Sequence, residues 1–380
     1  MSNSICFVND LFLKDKNVVT TGPMVQMYLI GKELANRGWQ VSHIVHSRNN
    51  KDGMIEEHEG MYVYYLPYHR YGELMGIRLI LKKLNDINAD IYYQRGRSPM
   101  TGMTAYFTNK NSKKFVWSSA GEGGMARGKY IKEQLKKKSP LRKIVLFPYF
   151  WLQDRVYEYG IKNADIVFAQ TEYQLNELKK EFNRDGIIFR SGHPIPDISV
   201  LKKPNPPVVL WVGAIKKSKQ PELFLELAKN LKSEKAEFYM IGNLSDEKYR
   251  EPIIFQEMEQ KNFHYAGEVP FKKMTEWFSK ASLLINTTMK DYEGLPNVFI
   301  QSWLHGVPVV SLHSDPDDFI KKHEIGYQTG DFILLVERVK ELIRNLDLRN
   351  EMGKRARDFA VNEFGIKKLV DQFVEICKEL

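Results

Sequence analysis

Short apolar runs alternate with helix-like segments along nearly the whole chain, and this alternation constrains the fold more than any other feature. In the first half the candidate strands are Ile5–Asn9, Val41–His46, Tyr62–Leu66, Ile91–Gln94, Phe115–Ser118, Ile166–Gln170 and Ile187–Phe189. Helical patterns at Met24–Arg37, Leu74–Asn85, Met100–Thr108 and Glu172–Phe182 lie between them. The second half repeats the scheme, with strands at Val208–Val212, Phe238–Ile241, Phe263–Ala266, Leu283–Asn286 and Val309–Leu312. Its helices read at Pro221–Leu231, Glu247–Glu259, Lys272–Lys280 and Asn297–His305, and after Asp331 the chain reads as helix throughout. A strand buried on both faces reads as an unbroken apolar run, and strands alternating with helices pair in parallel. The expected class is α/β, with two doubly wound domains and a ligand cleft between the carboxyl ends of their strands.

Length supports two domains: 380 residues exceed one typical core, and 43% hydrophobic with 12% aromatic residues suffices to fill two. The segment Ser191–Pro207 holds five of the sixteen prolines, which lock φ and remove amide donors. The expected division is therefore a first domain at 1–195, a linker at 196–207 and a second domain at 208–355. Helices at 356–380 follow. The two cysteines, Cys6 and Cys377, exclude a disulfide framework and a cysteine-rich metal site. No signal-peptide pattern and no apolar run of about 18 residues is present, which suits a cytoplasmic chain.

Three loops carry candidate chemistry. After the first strand comes Asn17-Val18-Val19-Thr20-Thr21-Gly22-Pro23, where Gly22 admits close backbone approach and the following helix offers free amides to an anion. The other reading is an ordinary βα turn. After Val208–Val212 comes Gly213-Ala214-Ile215-Lys216-Lys217-Ser218-Lys219-Gln220-Pro221, a glycine, a lysine cluster and a proline-opened helix. This suits a pyrophosphate, or else is a solvated basic turn. The third loop, after Leu283–Asn286, is Asp291-Tyr292-Glu293-Gly294-Leu295-Pro296-Asn297. Here a carboxylate precedes a helix whose amino end can face an anion, while Gln301 lies one turn further on.

Taken in order, these pieces resemble the retaining family-4 glycosyltransferases of the two-Rossmann (GT-B) type, over the whole chain. The resemblance rests on Arg37-Gly38, Val212-Gly213 with Lys219, Gly267, Glu293-Gly294-Leu295-Pro296-Asn297 and Gly306-Val307-Pro308-Val309-Val310. The pieces Lys219-Gln220-Pro221-Glu222 and Asp315-Pro316-Asp317 look like a bacterial cell-surface-polysaccharide branch. The resemblance implies transfer of a hexosyl group from a nucleotide-diphosphate sugar, UDP-sugar ahead of GDP-sugar, to a glycan or lipid-linked acceptor. It implies front-face transfer with retention, without a metal or other cofactor. Glu293 and Lys219 would be catalytic. Gly22, Gly213, Lys217, Gly242, Asn243, Val269, Gly294, Leu295, Pro296, Asn297 and Gln301 would line the donor. The helices after 356 would cross back to the first domain. Three positions depart from the family pattern: Ala214 stands for an arginine, Gln301 for a second glutamate, and Ser118-Ser119 for a histidine. The loop Ser119-Ala120-Gly121-Glu122-Gly123-Gly124 is assigned to the acceptor side through Ser119 and Glu122.

Net charge is +9, concentrated between Met125 and Arg155, where nine Lys/Arg face two acids. Lys136-Lys137-Lys138 and Arg142-Lys143 precede Leu146-Phe147-Pro148-Tyr149-Phe150-Trp151-Leu152. Cations followed by aromatics compose either an interfacial contact with an anionic membrane or a solvated helix that runs into a buried one. Charge alone suggests nucleic-acid binding, but no module with base-stacking aromatics accompanies it. Asp315-Pro316-Asp317 reads as a helix cap rather than a metal site. The histidines show no ligand spacing. Two further readings share the architecture: a weakly active nucleotide-sugar-binding protein, and a nucleotide-sugar epimerase or phosphorylase.

Overall fold

A computed structural model describes residues 3–9, 12–13, 21–47, 51–67, 76–136, 138–198 and 203–380, and of 129–130 the backbone only. Four expectations fall wholly or partly outside these residues: Asn17–Thr20 of the first loop, the start of the Leu74–Asn85 helix, Lys137, and 199–202 of the proline-rich segment. Contacts divide the chain into two units, Met1–Arg190 with Ile366–Leu380, and Ser191–Gly365.

The first unit is an eight-stranded sheet in the order β3-β4-β2-β1-β5-β6-β7-β8. Its strands are β1 (Ser4–Val8), β2 (Gln40–Ser47), β3 (Ile55–His58), β4 (Met61–Pro67), β5 (Ile91–Arg95), β6 (Lys114–Ser118), β7 (Ile166–Ala169) and β8 (Ile187–Ile188). The helices are α1 (Gly22–Asn36), α2 (Ile77–Ile87), α3 (Met100–Lys110), α4 (Lys129–Lys136), α5 (Pro140–Asn163) and α6 (Glu172–Phe182). Gly38 follows the C-cap of α1 with a left-handed φ of 83°, a conformation that glycine adopts without strain. β1 and β5 are buried along their whole length, β5 with Gln94 and Arg95 at its carboxyl end.

The second unit is a six-stranded sheet, paired in parallel throughout, in the order β11-β10-β9-β12-β13-β14. Its strands are β9 (Val208–Val212), β10 (Glu237–Ile241), β11 (Phe263–Gly267), β12 (Ala281–Asn286), β13 (Val309–Ser311) and β14 (Gly326–Gln328). The helices are α7 (Pro221–Asn230), α8 (Arg250–Glu259), α9 (Met274–Lys280), α10 (Asn297–Leu304), α11 (Phe319–His323), α12 (Phe332–Arg344) and α13 (Leu346–Phe364). Successive residues of one strand feed opposite cores. Val209 and Trp211 of β9 join one cluster with Phe224 and Leu283, while Leu210 joins the other with Phe299 and Trp303.

Two strands escape the sequence pattern. β3 pairs antiparallel with β4 and is half exposed, so Ile55-Glu56-Glu57-His58 carries no apolar run, and the expectation of purely parallel pairing fails at that edge. β14 has three residues at the opposite edge of its own sheet. The last helix, α14 (Ile366–Lys378), belongs to the first unit. It buries Ile366, Leu369, Val370 and Phe373. The Phe373 ring lies 6.0 Å from Tyr93, 6.2 Å from Phe168 and 5.9 Å from Phe189.

Candidate functional site at the β9–β12 switch point

Strand order in the second sheet reverses at β9. On one side follow β10 and β11, on the other β12, β13 and β14, so the crossovers leave β9 and β12 in opposite directions. Such a reversal leaves a crevice at the carboxyl ends of the two strands. The loop after β9 carries Lys219, and the loop after β12 carries Glu293. The two side chains meet in an ion pair that is largely shielded from water, each 16% exposed.

The backbone around this pair is tied at several points. Trp211 Nε1 donates to Thr287 Oγ1 at 2.9 Å, and that hydroxyl donates to the Lys219 carbonyl at 2.8 Å. The Met289 amide donates to Ser218 O at 3.0 Å, which joins the two loops directly. Asn286 Nδ2 reaches Thr288 Oγ1 at 3.1 Å and Glu293 Oε2 at 3.4 Å. Burial, reinforced by the positive charge of Lys216, pushes the Lys219 ammonium down to about 7. The Glu293 carboxylate in contact opposes that shift, and we assign the pair its charged form while it is closed. Lys216 itself lies 5.6 Å over the Tyr292 ring, a second cation at the same loop.

Glycines hold the floor of this region. Gly242, at the end of β10, has φ 153°, and a Cβ there would stand 1.7 Å from the Gly213 carbonyl oxygen. The Gly213 amide donates to Ile241 O at 3.0 Å, the Ile215 amide to Asn243 O at 2.9 Å, and the Gly242 amide to Gly267 O at 2.8 Å. Three strand ends are thus laced together with no side chain between them. Gly294, Leu295 and Pro296 are buried, and Pro296 delivers the chain into α10, whose first residue, Asn297, is half-buried. His193 Nε2 stands 3.3 Å from Asn297 Oδ1.

Of the residues singled out from sequence, Gly213, Lys219, Gly242, Asn243, Glu293 and the Gly294–Asn297 turn therefore belong to one edge of one sheet. Lys217 is exposed at the start of a short 3-10 turn. The Leu295 side chain packs into the core and Val269 packs against it, leaving backbone as their contribution to a ligand. Gln301 is half-buried in α10. In the other unit, Gly22 opens α1. Ser119 is fully buried, its amide bonded to Phe168 O at 2.9 Å and its hydroxyl to Gly121 O at 3.1 Å. Glu122 opens a 3-10 turn over Glu122–Met125. Asp315 accepts from the amides of Ile320 at 2.7 Å and Lys321 at 3.2 Å, so it caps the turn into α11. No group of metal-ligating side chains occurs among the described residues. Asn286 and Thr287 had no assigned role in the sequence. Their position at the end of an apolar strand was the available signal. His193 lay in a segment that reads as linker and had none.

Residues 206–345 match the family model of the glycosyl transferases group 1. Among curated proteins, the chain is 25% identical over 177 residues to an uncharacterised 41.2 kDa protein in the cps region of Klebsiella pneumoniae, covering 45% of this chain and 46% of that protein. It is 27% identical over 88 residues to the lipopolysaccharide core biosynthesis glycosyltransferase LpsE of Rhizobium meliloti, covering 22% and 26%. The matches therefore span less than half the length of these relatives. Among solved structures it is similar to sucrose-phosphate synthase from Thermosynechococcus elongatus, with TM-score 0.75 at 12% identity over 99% and 98% of the two chains. It is also similar to HepE of Anabaena in complex with UDP and glucose, with TM-score 0.70 at 13% identity over 99% and 100%. The two parallel-sheet Rossmann-like units are those of the GT-B fold.

Proposed function

We propose that the protein is a retaining, family-4 type hexosyltransferase that takes a sugar from a nucleotide-diphosphate sugar, UDP-sugar first, to a glycan or lipid-linked acceptor in cell-surface polysaccharide synthesis. The observation that carries this reading is the Lys219–Glu293 pair at the β9–β12 switch point. A lysine and a glutamate that neutralise each other in the closed site have separate partners once a donor enters. Lys219, with Lys216 or Lys217 beside it, takes the diphosphate, and Glu293 takes the sugar hydroxyls. The amides opening α10 add dipole to the same negative charge. Asn286 steadies Glu293. Group 1 kinship of residues 206–345, the UDP and glucose in HepE, and the lipopolysaccharide role in the name of LpsE support the same assignment.

The chemical step breaks the bond between the anomeric carbon and the diphosphate oxygen and forms a bond to an acceptor oxygen on the same face. The acceptor's proton goes to the departing phosphate, whose charge the lysines stabilise. The test is transfer from a panel of UDP- and GDP-sugars to extracted glycan, with NMR of the new anomeric centre. An inverted product refutes retention, and unchanged turnover in Glu293→Ala removes Glu293 from the donor site.

Attachment to an anionic membrane surface belongs to the same reading. The first half of α5 exposes Leu141, Ile144 and Val145, each about 70%, together with Phe147, Trp151 and Leu152. Arg142 and Lys143 sit among them, and the basic α4 precedes them. No helix among the described residues is long and apolar enough to cross a membrane.

A further inference from the structure

The first unit has a switch point of its own, between β1 and β5, and a pocket of about 290 Å³ opens at their carboxyl ends. We propose that this pocket binds the anionic group of an acidic sugar, a carboxylate or phosphate carried beside free hydroxyls, as the acceptor of the transfer reaction. The inference rests on the transferase reading above and adds the class of acceptor.

Three features of the wall select such a ligand. Arg95 and Arg97, from the turn that ends β5, both line it, and no Asp or Glu does among the described residues. Arg97 is fixed from behind by its ion pair with the buried Asp154 and by the Tyr157 ring 4.6 Å away. Arg95 is only 5% exposed, so its charge acts through little water, where a guanidinium–oxyanion fork is strong. Next, Thr21 and Pro23 bring the amino end of the fifteen-residue α1 to the wall, and its first turn contains no acid. Finally, Asn9 is 2% exposed, and its amide meets His43 Nδ1 at 3.2 Å on one side, while Oδ1 has no partner among the described residues. Buried polar atoms are nearly always bonded, so this oxygen calls for a ligand hydroxyl. The volume, at the small end of the ~300–1,000 Å³ usual for ligand sites, suits one sugar unit.

The test uses the full chain and ligand-observed NMR titrations with methyl β-D-glucuronide, glucose 1-phosphate and methyl β-D-glucoside, with UDP as a separate titrant. The wild type should bind at least one of the two acidic sugars at least tenfold more tightly than the neutral glycoside, and the tighter of the two identifies carboxylate or phosphate. Arg97→Gln should weaken that binding at least tenfold and leave UDP binding unchanged. Should Arg97→Gln fail to fold, Asn9→Asp, which places a carboxylate in a site of the same size, should do the same. Equal affinity for acidic and neutral sugars overturns the proposal. So does equal weakening of UDP, which would give the pocket to the donor phosphate. Acidic-sugar binding without any UDP binding would instead count against the transferase reading and leave the pocket's selectivity standing.

Discussion

Lys219 is the residue on which the site's electrostatics turn. Its ammonium is buried next to Lys216, which lowers its proton affinity, and is held by Glu293, which raises it. A diphosphate binds the ammonium form. Affinity for UDP is therefore expected to be highest on the acid side and to fall as pH rises through the pKa of Lys219, which burial and Lys216 bring down to about 7. Lys219→Arg keeps its charge at every accessible pH. The difference between the pH profiles of wild type and variant, measured by calorimetry, isolates this one group. The pair also predicts a stability pattern. Lys219→Ala alone leaves a shielded carboxylate without its cation and should cost about 3 kcal/mol. Glu293→Ala added to it should recover part of that loss. Urea melts of the two single variants and the double variant give the coupling, and simple additivity would mean that the two side chains do not share one site.

At the level of elements, the β9–β12 crevice depends on backbone meeting backbone. Gly242 touches the Gly213 carbonyl with no room for a methyl group, and its φ of 153° disfavours any other residue. Gly242→Ala should therefore force β9 and β10 apart at their carboxyl ends, costing about 3 kcal/mol or more and abolishing UDP binding. Thermal melts with and without UDP check both halves of that expectation. These strand ends were legible in the sequence because glycine directly after an apolar run has few other uses. The β9 and β12 runs were legible because both of their faces are buried, which leaves no polar alternation to confuse with helix. β3 was not, since Glu56 and Glu57 at a half-exposed edge look like loop. Nor were Arg95 and Arg97. They follow a strand, but only the sheet order makes that strand a switch-point neighbour of β1. Ser119 is the converse case: its glycine-rich loop reads as lining the acceptor side, and its amide and hydroxyl both donate to carbonyls within the unit.

For the whole molecule, two consequences follow from where apolar surface lies. α5 presents bare aliphatic side chains beside cations, and the proposed membrane attachment rests on that composition. Each basic residue near such a surface contributes about 1 kcal/mol. Arg142→Ala with Lys143→Ala should then reduce co-sedimentation with phosphatidylglycerol vesicles by about thirtyfold, with no loss on neutral vesicles. Unchanged sedimentation would leave α5 as an ordinary exposed helix. The second consequence concerns α14, which supplies Leu369, Val370 and Phe373 to the first unit's core. Deleting 366–380 should destabilise that unit by roughly 5 kcal/mol, at about 1.5–3 kcal/mol for each large side chain lost. It should leave the second unit's melting transition and its UDP binding in place, as calorimetry with and without UDP would reveal.

The placement of α14 also dictates an order of events at the ribosome. Ser191–Gly365 is synthesised between the two pieces of the first unit. At about 5–20 residues per second, that interval lasts roughly ten to thirty-five seconds. Through it, Tyr93, Phe168 and Phe189 wait with the seat for Phe373 empty, while the unit made later can already close. The half of the protein that is begun first is therefore completed last, and nascent-chain chaperones would find their target there.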